Sequence, residues 1–290
     1  MTTTDRPETP EPAGRPAVVP PPAEPALEQG RAGHGHMDPR ASVLAGELPC
    51  GYLAPDGACH FQYVIGEMTG VEEDLLSAKG PWLPRLNQIL GQRLVRLGAL
   101  TERAPLLAAA DALTSEDRGL LLIALRRASL GDIYEVKALC PACKRQGTFS
   151  IDLAALAVTP MPDRTQRTFT VALPSGRVAT WHVMAPADEE WANRQAKRFE
   201  GERPTLIILA RLDALDGVAL DRAKGFDAAR AAVRALPTRD RQALRAAFER
   251  HEGGVDDEVT FDCPDCGQEW TSALDVAQAG FFFPSALAER

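Results

Sequence analysis

The sequence predicts a mixed α+β fold in which two pseudo-symmetric helix–strand–knuckle–strand repeats share one metal site. Three observations predict it. Two long segments of the chain match one another without gaps, and each ends in a Cys-Pro-x-Cys phrase. Helical and alternating apolar patterns also follow one another without the βαβ rhythm of a parallel sheet. We therefore expect several small sheets and helices around a shared core.

The internal match has a constant offset of 123 residues, which is the separation of Cys140 and Cys263. It relates "DRGLLLIALRRASLGDIYEVKALCPAC" to "DRQALRAAFERHEGGVDDEVTFDCPDC". The repeats cover about 113–153 and 236–276, and a hairpin and helices are inserted at about 154–235. Two copies predict halves related by an approximate twofold axis, since a solenoid needs at least three repeats. Matched positions include Leu113 and Leu236, Asp117 and Asp240, Arg118 and Arg241, and Gly131 and Gly254.

Before the first repeat, "ELPCGYLAPDGACHFQYVIGEMTG" predicts a β-hairpin, because "APDG" separates two apolar runs. "GVEEDLLSAKG" predicts a helix with acids in its first turn. The next segment, "PWLPRLNQILGQRLVRLGAL", has apolar residues at helical spacing. These residues are Leu86, Ile89, Leu90, Leu94 and Leu97.

Within the first repeat, "LTSEDRGLLLIALRRASLG" predicts a helix capped by Thr114 or Ser115 and stopped at Gly131. "DIYEVKAL" then predicts a strand. In the insertion, "RTFTVALPSGRVATWHVMAP" predicts a second hairpin with its turn at "PSG". "ADEEWANRQAKRFEG" and "TLIILARLDAL" predict two further helices.

The two Cys-Pro-x-Cys phrases predict one structural zinc bound by all four of their thiolates. A Cys-x-x-Cys turn donates two ligands to a tetrahedral zinc, so two turns close the site and leave no position for water or substrate. Gly267, after the second pair, suits a turn that requires positive φ, whereas Lys144 at the matching position predicts a strained first turn. The ligands are Cys140, Cys143, Cys263 and Cys266.

Other interpretations of the cysteines remain open at this point. Disulfide-exchange enzymes place Cys-Pro-x-Cys at a helix N-terminus, whereas here each pair precedes a predicted strand. A nucleic-acid-binding zinc ribbon requires basic and aromatic residues around the turns, and Lys144 and Arg145 supply charge on one side only. Cysteines kept merely as small buried residues would explain neither the spacing nor the pairing. Cys50 and Cys59 flank the first hairpin turn, and we interpret them as free thiols rather than a second metal site.

The composition excludes several classes of protein. The 290 residues carry a net charge of -8, which argues against a protein that coats nucleic acid or anionic membrane. We expect no membrane span and no secretory signal, hence a cytoplasmic protein in which the six cysteines are thiols or metal ligands. Residues 1–44 are rich in Pro, Ala, Glu and Gly and predict a disordered tail. Residues 45–290 form the predicted folded domain.

No catalytic constellation is visible, so we expect a protein that is not an enzyme. The chain lacks a Gly-rich phosphate loop, a G-x-S-x-G elbow and an H-E-x-x-H motif. Its five histidines are scattered, with His34 and His36 in the tail. The recurring Asp-Arg pairs at 117–118 and 240–241 are interpreted as helix N-terminal charges with a salt-bridging neighbour.

In the order of its motifs, the chain resembles the T-even phage baseplate hub assembly chaperone family, which also occurs in contractile injection systems. The resemblance covers about residues 46–285 and leaves the Pro-rich tail unmatched. It rests on "LPCGYLAPDG", "MTGVEEDLL", "RLGAL", "DRGLLLIALRRASLGDIYEVKALCPAC", "FTVALPSGRVATWH", "LPTRDRQALRAAFERHEGGVDDEVTFDCPDCGQEW" and "FFFPS".

The resemblance implies a non-enzymatic protein that builds the baseplate hub of a contractile tail, with hub or spike proteins as partners. It implies a cytoplasmic protein when made, or one incorporated into the tail or injection particle. The competing class is a zinc-ribbon regulatory or nucleic-acid-associated protein. Phe281, Phe282 and Phe283 are either a partner anchor or part of the core, and we expect the core, because three exposed phenylalanines invite aggregation.

Overall fold

The protein was analysed as a computed structural model, which describes residues 43–79, 82–276 and 279–282. The predicted tail, 1–44, lies outside the described residues except for its last two, which begin the first strand. The predictions for His34, His36 and Phe283 also fall outside them. Among the described residues, no helix has the length and apolar character needed to cross a membrane.

The described chain is mixed α+β, as predicted, with several small antiparallel sheets. Its first half begins with a long hairpin, continues through four helices and ends in a two-stranded ribbon. The elements are β1 (Val43–Leu53), β2 (Cys59–Gly66), α1 (Gly70–Ser77), α2 (Trp82–Arg93), β3 (Leu94–Leu97), α3 (Arg103–Ala112), α4 (Ser115–Leu130), β4 (Ile133–Leu139) and β5 (Gln146–Asp152).

The second half also runs from a hairpin through four helices to a ribbon, with three very short strands in addition. The elements are β6 (Val158–Thr159), β7 (Thr168–Ala172), β8 (Val178–His182), α5 (Pro186–Ala196), α6 (Arg203–Arg211), β9 (Leu212–Leu215), β10 (Val218–Ala219), α7 (Phe226–Arg234), α8 (Thr238–His251), β11 (Gly254–Val255), β12 (Glu258–Asp262), β13 (Glu269–Ala273) and α9 (Ala279–Phe282).

Each hairpin gains a strand that directly follows a helix. β3 follows α2 and pairs with β2, and β9 follows α6 and pairs with β8. Each of the two pairings has a register irregularity, which lies between Val64 and Ile65 in β2 and between Thr180 and Trp181 in β8. Two helices therefore end earlier in the structure than the sequence predicted, α2 at Arg93 and α6 at Arg211. Leu94 and Leu97 belong to strand β3, and "LDAL" (Leu212–Leu215) forms strand β9. Apolar residues three positions apart also fit a short irregular strand whose first and last side chains both face the core.

Two apolar clusters form the core, and each contains residues from both halves of the chain. The first surrounds α2, α4 and the β1–β2 hairpin, and it includes Phe261 and Leu274 from the second half. The second surrounds Trp181 in β8 and includes Cys50 from the first half. Phe281 and Phe282 are almost completely buried in the first cluster, which confirms the expectation that they pack in the core.

Two fully buried aspartates connect helices to hairpins. Asp117, in the first turn of α4, accepts hydrogen bonds from the backbone N–H groups of Cys50 (2.8 Å) and Gly51 (3.2 Å). Asp240, in the first turn of α8, accepts one from the N–H of Ser175 in the turn between β7 and β8 (3.0 Å). Neither aspartate pairs with the arginine that follows it, and Arg118 instead forms its salt bridge with Glu189 of α5. Backbone donors are the partners, because burial leaves a carboxylate dependent on nearby N–H groups.

His182, at the end of β8, lies between two carboxylates. Nδ1 is 2.7 Å from Asp213 Oδ1 in β9, and Nε2 is 3.0 Å from Asp188 Oδ2 in α5. Arg222 Nη1 also binds Asp188, at 2.7 Å. The hydrogen bond to Asp188 is the largest influence on the pKa of His182. It outweighs the opposing effect of burial, and the pKa is raised above its ordinary value of 6.5.

The stability that His182 contributes is therefore expected to fall with increasing pH. Because the folded pKa is raised, the contribution is complete below about pH 6.5 and is lost as pH rises through the folded pKa. Urea unfolding of the wild type and of a His182→Gln variant from pH 5.5 to 9 would test this. The difference between them should shrink as pH rises; a constant or growing difference would contradict the assignment.

Candidate metal centre

Two antiparallel ribbons carry the four predicted cysteine ligands at their tips. β4 pairs with β5 from Ile133↔Asp152 to Leu139↔Gln146, and β12 pairs with β13 from Glu258↔Ala273 to Asp262↔Glu269. We call the two connecting turns, 140–145 and 263–268, the cysteine knuckles. The first cysteine of each knuckle directly follows the last residue of a strand. The pairing of that strand therefore fixes the backbone position from which the thiol extends.

The two knuckles have the same backbone hydrogen bonds. In the first, the N–H of Cys140 donates to the carbonyl of Arg145, and the N–H of Lys144 donates to the carbonyl of Cys140, both at 3.0 Å. The residues 123 positions later make the same two bonds at 2.9 Å. Lys144 has φ = 61° and Gly267 has φ = 69°, so a lysine adopts the left-handed conformation for which glycine is suited.

Replacing Lys144 with glycine is therefore expected to stabilise the protein by about 1 kcal/mol, because the left-handed conformation costs a residue with a Cβ about that much. The matched control is Gly267→Ala, which should destabilise by a similar amount. Urea unfolding of both variants in metal-replete protein would measure the two changes. A loss of stability in Lys144→Gly would contradict this expectation. It would show that the lysine side chain stabilises the fold by more than the left-handed backbone conformation destabilises it.

The four sulfur atoms lie within 4.8 Å of one another. Two sulfur–sulfur contacts join the knuckles: Cys140 Sγ is 3.7 Å from Cys266 Sγ, and Cys143 Sγ is 3.6 Å from Cys263 Sγ. These separations exceed the 2.05 Å of a disulfide bond. They match the edge of a tetrahedron with metal–sulfur bonds of about 2.3 Å, which is about 3.8 Å. The structure thus brings all four predicted ligands together, and their donor set and spacing fit a tetrahedral zinc.

The pKa values of the knuckle thiols favour the binding of a cation among the four sulfur atoms. Burial raises the pKa of the Cys140 thiol, but the N–H groups of Cys143 and Ala142 and the neighbouring thiols outweigh it and lower the pKa to about 7. For Cys266 the N–H of Gln268 lowers the pKa, yet burial and the three other sulfurs raise it to about 12. One thiolate therefore forms readily, whereas a fourth is suppressed by the charge of the others. A divalent cation removes that repulsion.

An aromatic cluster holds the two ribbons against each other below the knuckles. Phe149 of β5 lies edge-on to Phe261 of β12 (5.0 Å between centroids) and to Trp270 of β13 (5.4 Å). An exposed ion pair, Arg145 with Asp265 at 2.9 Å, joins the knuckles themselves and contributes little. Sequence reasoning missed these three aromatic residues. Their alternation with exposed residues in the strands was the available signal.

The geometry differs from that of a disulfide-exchange site. Each cysteine pair lies in a turn between antiparallel strands, not at a helix N-terminus, so no helix dipole activates a nucleophilic thiol. Arg145, part of the basic signal for a nucleic-acid ribbon, is paired with Asp265, and the nearby aromatic rings pack against each other.

Cys50 and Cys59 are separate from the four-sulfur group. Within the described ranges, no metal-ligating cluster includes either of them. The Cys50 thiol is fully buried and directed at the carbonyl of Gly253 (3.8 Å), and burial, aided by Asp117, raises its pKa to about 12. The Cys59 thiol points to the carbonyl of Arg164 at 3.3 Å. Both are free thiols, as interpreted from the sequence.

Comparison with known proteins gives one family match. A family model described as T4 bacteriophage base plate protein matches residues 102–181, which span α3, α4, the first knuckle and most of the second hairpin. The match covers a little more than a quarter of the chain and ends before the second knuckle. No curated protein and no solved structure matches significantly. Over these residues the chain is similar to that phage baseplate protein family.

Proposed function

We propose that this protein is a non-enzymatic assembly factor or structural component of the baseplate hub of a contractile phage tail or injection system, stabilised by a structural zinc. The observation that carries the proposal is the baseplate family match over residues 102–181. That segment contains α4, most of whose residues are buried, and two of the four thiols, so the similarity lies in the core of the fold rather than in a peripheral extension.

The site suits a structural role. Four thiolates complete a zinc coordination shell, so no open position remains at which a substrate or an activated water would bind. Cys140 and Cys143 belong to the first half of the chain, and Cys263 and Cys266 belong to the second. A metal held by all four joins the two ribbons, and through them the α4 and α8 segments that precede them. We therefore expect no catalytic turnover at this site.

The proposal includes a repeated architecture. Supporting it, both halves run hairpin, helix, helix–strand, helix, helix, ribbon, and the two knuckles share their hydrogen bonds. The order of α1, α2–β3 and α3 before α4 recurs as α5, α6–β9 and α7 before α8. We infer that residues 154–235, interpreted from the sequence as an insertion, instead contain the N-terminal part of the second copy. A duplicated scaffold of this kind offers two similar faces for assembly with hub or spike proteins.

The competing function, a zinc-ribbon regulatory or nucleic-acid-associated protein, has less support. The net charge of -8 opposes binding to a polyanion, and Asp262, Asp265 and Glu269 surround the second knuckle. Salt-sensitive binding to DNA or RNA at submicromolar concentration would favour the competing function over the proposal.

Deleting the gene in a producing strain tests the proposal. We expect sheath and tube proteins to be made while complete contractile particles become rare in electron micrographs. Complementation with wild type should restore particles, and a Cys140→Ser/Cys263→Ser protein should not. Cys59→Ser is the matched control, because it removes a thiol outside the four-sulfur group. Normal numbers of intact, contractile particles from the deletion strain would rule the assembly role out.

A further inference from the structure

A large open cavity lies mainly among elements of the second half of the chain, and none of its lining residues belongs to a cysteine knuckle. Its volume is about 990 Å³, and it lies between α6, the end of α8 and β11. Apolar side chains form much of its wall: Pro204, Ile207, Ile208, Phe248 and Val255. A cavity of this size with apolar walls is large enough to receive several side chains of a peptide.

A carboxylate without a partner lies in this cavity. Glu116, from the first turn of α4, has no hydrogen bond or ion pair with any other described residue, although it is half-buried. The carboxylate packs against Gly254, which has no side chain. A Cβ at residue 254 would lie only 2.9 Å from Glu116 Oε2. Burial, followed by the charge of Glu252, raises the pKa of Glu116 to about 7.

The neighbouring cation is already paired. Arg211 Nη2 lies 2.7 Å from Oε2 of Glu252, and the other oxygen of Glu252 accepts a hydrogen bond from the N–H of Met184. Two carboxylates thus share the environment of one guanidinium. Arg203 and Arg245 also line the cavity, but they are exposed and pair with neither carboxylate, so a cation brought close to Glu116 would be its first ion-pair partner.

The equivalent position in the first half is covered by the chain's own aromatic segment. Phe281 of α9 packs on Tyr134 with 5.1 Å between ring centroids, and its carbonyl accepts a hydrogen bond from Arg126 Nε at 2.8 Å. The residues 123 positions after Arg126 and Tyr134 are Glu249 and Asp257. Glu249 lines the open cavity beside Arg203 and Arg245, whereas Asp257 does not line it, so one of the two matched positions borders an uncovered site in the second half.

We propose that this cavity is a docking site for a short segment of a partner protein that carries apolar or aromatic side chains and one lysine or arginine, whose cationic group pairs with Glu116. The apolar side chains of this partner segment would make contacts in the second half like those that α9 makes in the first half. This inference concerns purified protein and does not require the partner to be a hub component, so it stands or fails separately from the proposed function.

Selection from a displayed library of random 12-residue peptides, with the full-length zinc-replete protein as target, tests the proposal. We expect the selected peptides to combine aromatic or aliphatic residues with at least one Lys or Arg. Their affinity should fall at least about tenfold in Ile207→Trp, which fills the cavity, and in Glu116→Gln, which keeps the size of the side chain and removes its charge. Val218→Asp, at an exposed position outside the cavity, is the matched control and should leave affinity unchanged.

Several outcomes would overturn the proposal. Peptides that bind equally well to Ile207→Trp and Glu116→Gln would place their site elsewhere. Acidic peptides whose binding is lost in Ile207→Trp would show that arginines, not Glu116, recognise the ligand. Arg203 and Arg245 are two exposed residues that also line the cavity. Binding seen only after removal of residues 1–42 would identify the chain's own tail as the occupant. A dimer that dissociates in Ile207→Trp would identify a second copy.

Discussion

A Cys263→Ser variant is expected to lose its metal and to be less stable than wild type by about 4 kcal/mol or more. Cys263 is almost fully buried, and its sulfur contacts Cys143 of the other knuckle. With three thiolates left, the metal site is open to water and its affinity for zinc falls. Because metal binding is coupled to folding, the lost binding free energy appears as lost stability. Urea unfolding and elemental analysis of the same samples would measure both effects.

The control for this prediction is Cys59→Ser, which removes a half-buried thiol outside the four-sulfur group. It should retain its zinc and most of its stability. The two ribbons should loosen together in Cys263→Ser, so hydrogen exchange should increase in β4 and β5 as well as in β12 and β13. Faster exchange in the second ribbon alone would show that the metal does not join the halves.

An Asp117→Ala variant is expected to lose about 3–5 kcal/mol of stability. The substitution leaves the N–H groups of Cys50 and Gly51 without their acceptor in a fully buried place, and each unsatisfied buried donor costs about 1–3 kcal/mol. Asp240→Ala removes the acceptor for one N–H, that of the exposed Ser175, which water can replace, and should cost about 1 kcal/mol. Urea unfolding at constant zinc saturation would measure both losses.

Two controls make the aspartate prediction specific. Asp111→Ala, at an exposed position of α3, should change stability by no more than about 0.5 kcal/mol. Asp117→Asn keeps a side-chain oxygen as acceptor and should cost less than Asp117→Ala. Equal losses in Asp117→Ala and Asp111→Ala would mean that the hydrogen bonds to the β1–β2 hairpin contribute nothing to stability.

Local chemistry made much of the fold predictable. The α4 helix begins where Thr114 Oγ1 accepts the N–H of Asp117 (3.2 Å) and ends at Gly131 with φ = 87°, as its sequence signals indicated. Both long hairpins were predictable from turn residues between alternating runs. The meeting of the four thiols was predictable because two Cys-x-x-Cys turns in matching repeats indicate one shared site, although the contact of Cys140 with Cys266 depends on how the ribbons pack.

Long-range contacts explain what sequence reasoning missed. Leu94 and Leu97 form a strand because β2 offers an open edge beside them, a fact that their spacing does not contain. Helix α3 was not predicted; it packs closely on α2 at Gly91, where a Cβ would lie 2.7 Å from Leu107. The partners of Asp117 lie 66 and 67 residues away in sequence. Each of these depends on tertiary packing, which overrides local propensity.

We propose that the four knuckle cysteines of the two halves bind one zinc between them. X-ray absorption at the zinc edge, combined with elemental analysis of the purified full-length chain, tests it most directly. We predict one zinc per chain with four sulfur neighbours at about 2.3 Å in the wild type, and no bound zinc in Cys263→Ser. Metal-replete protein that holds no zinc, or zinc bound mainly by oxygen and nitrogen, would contradict it.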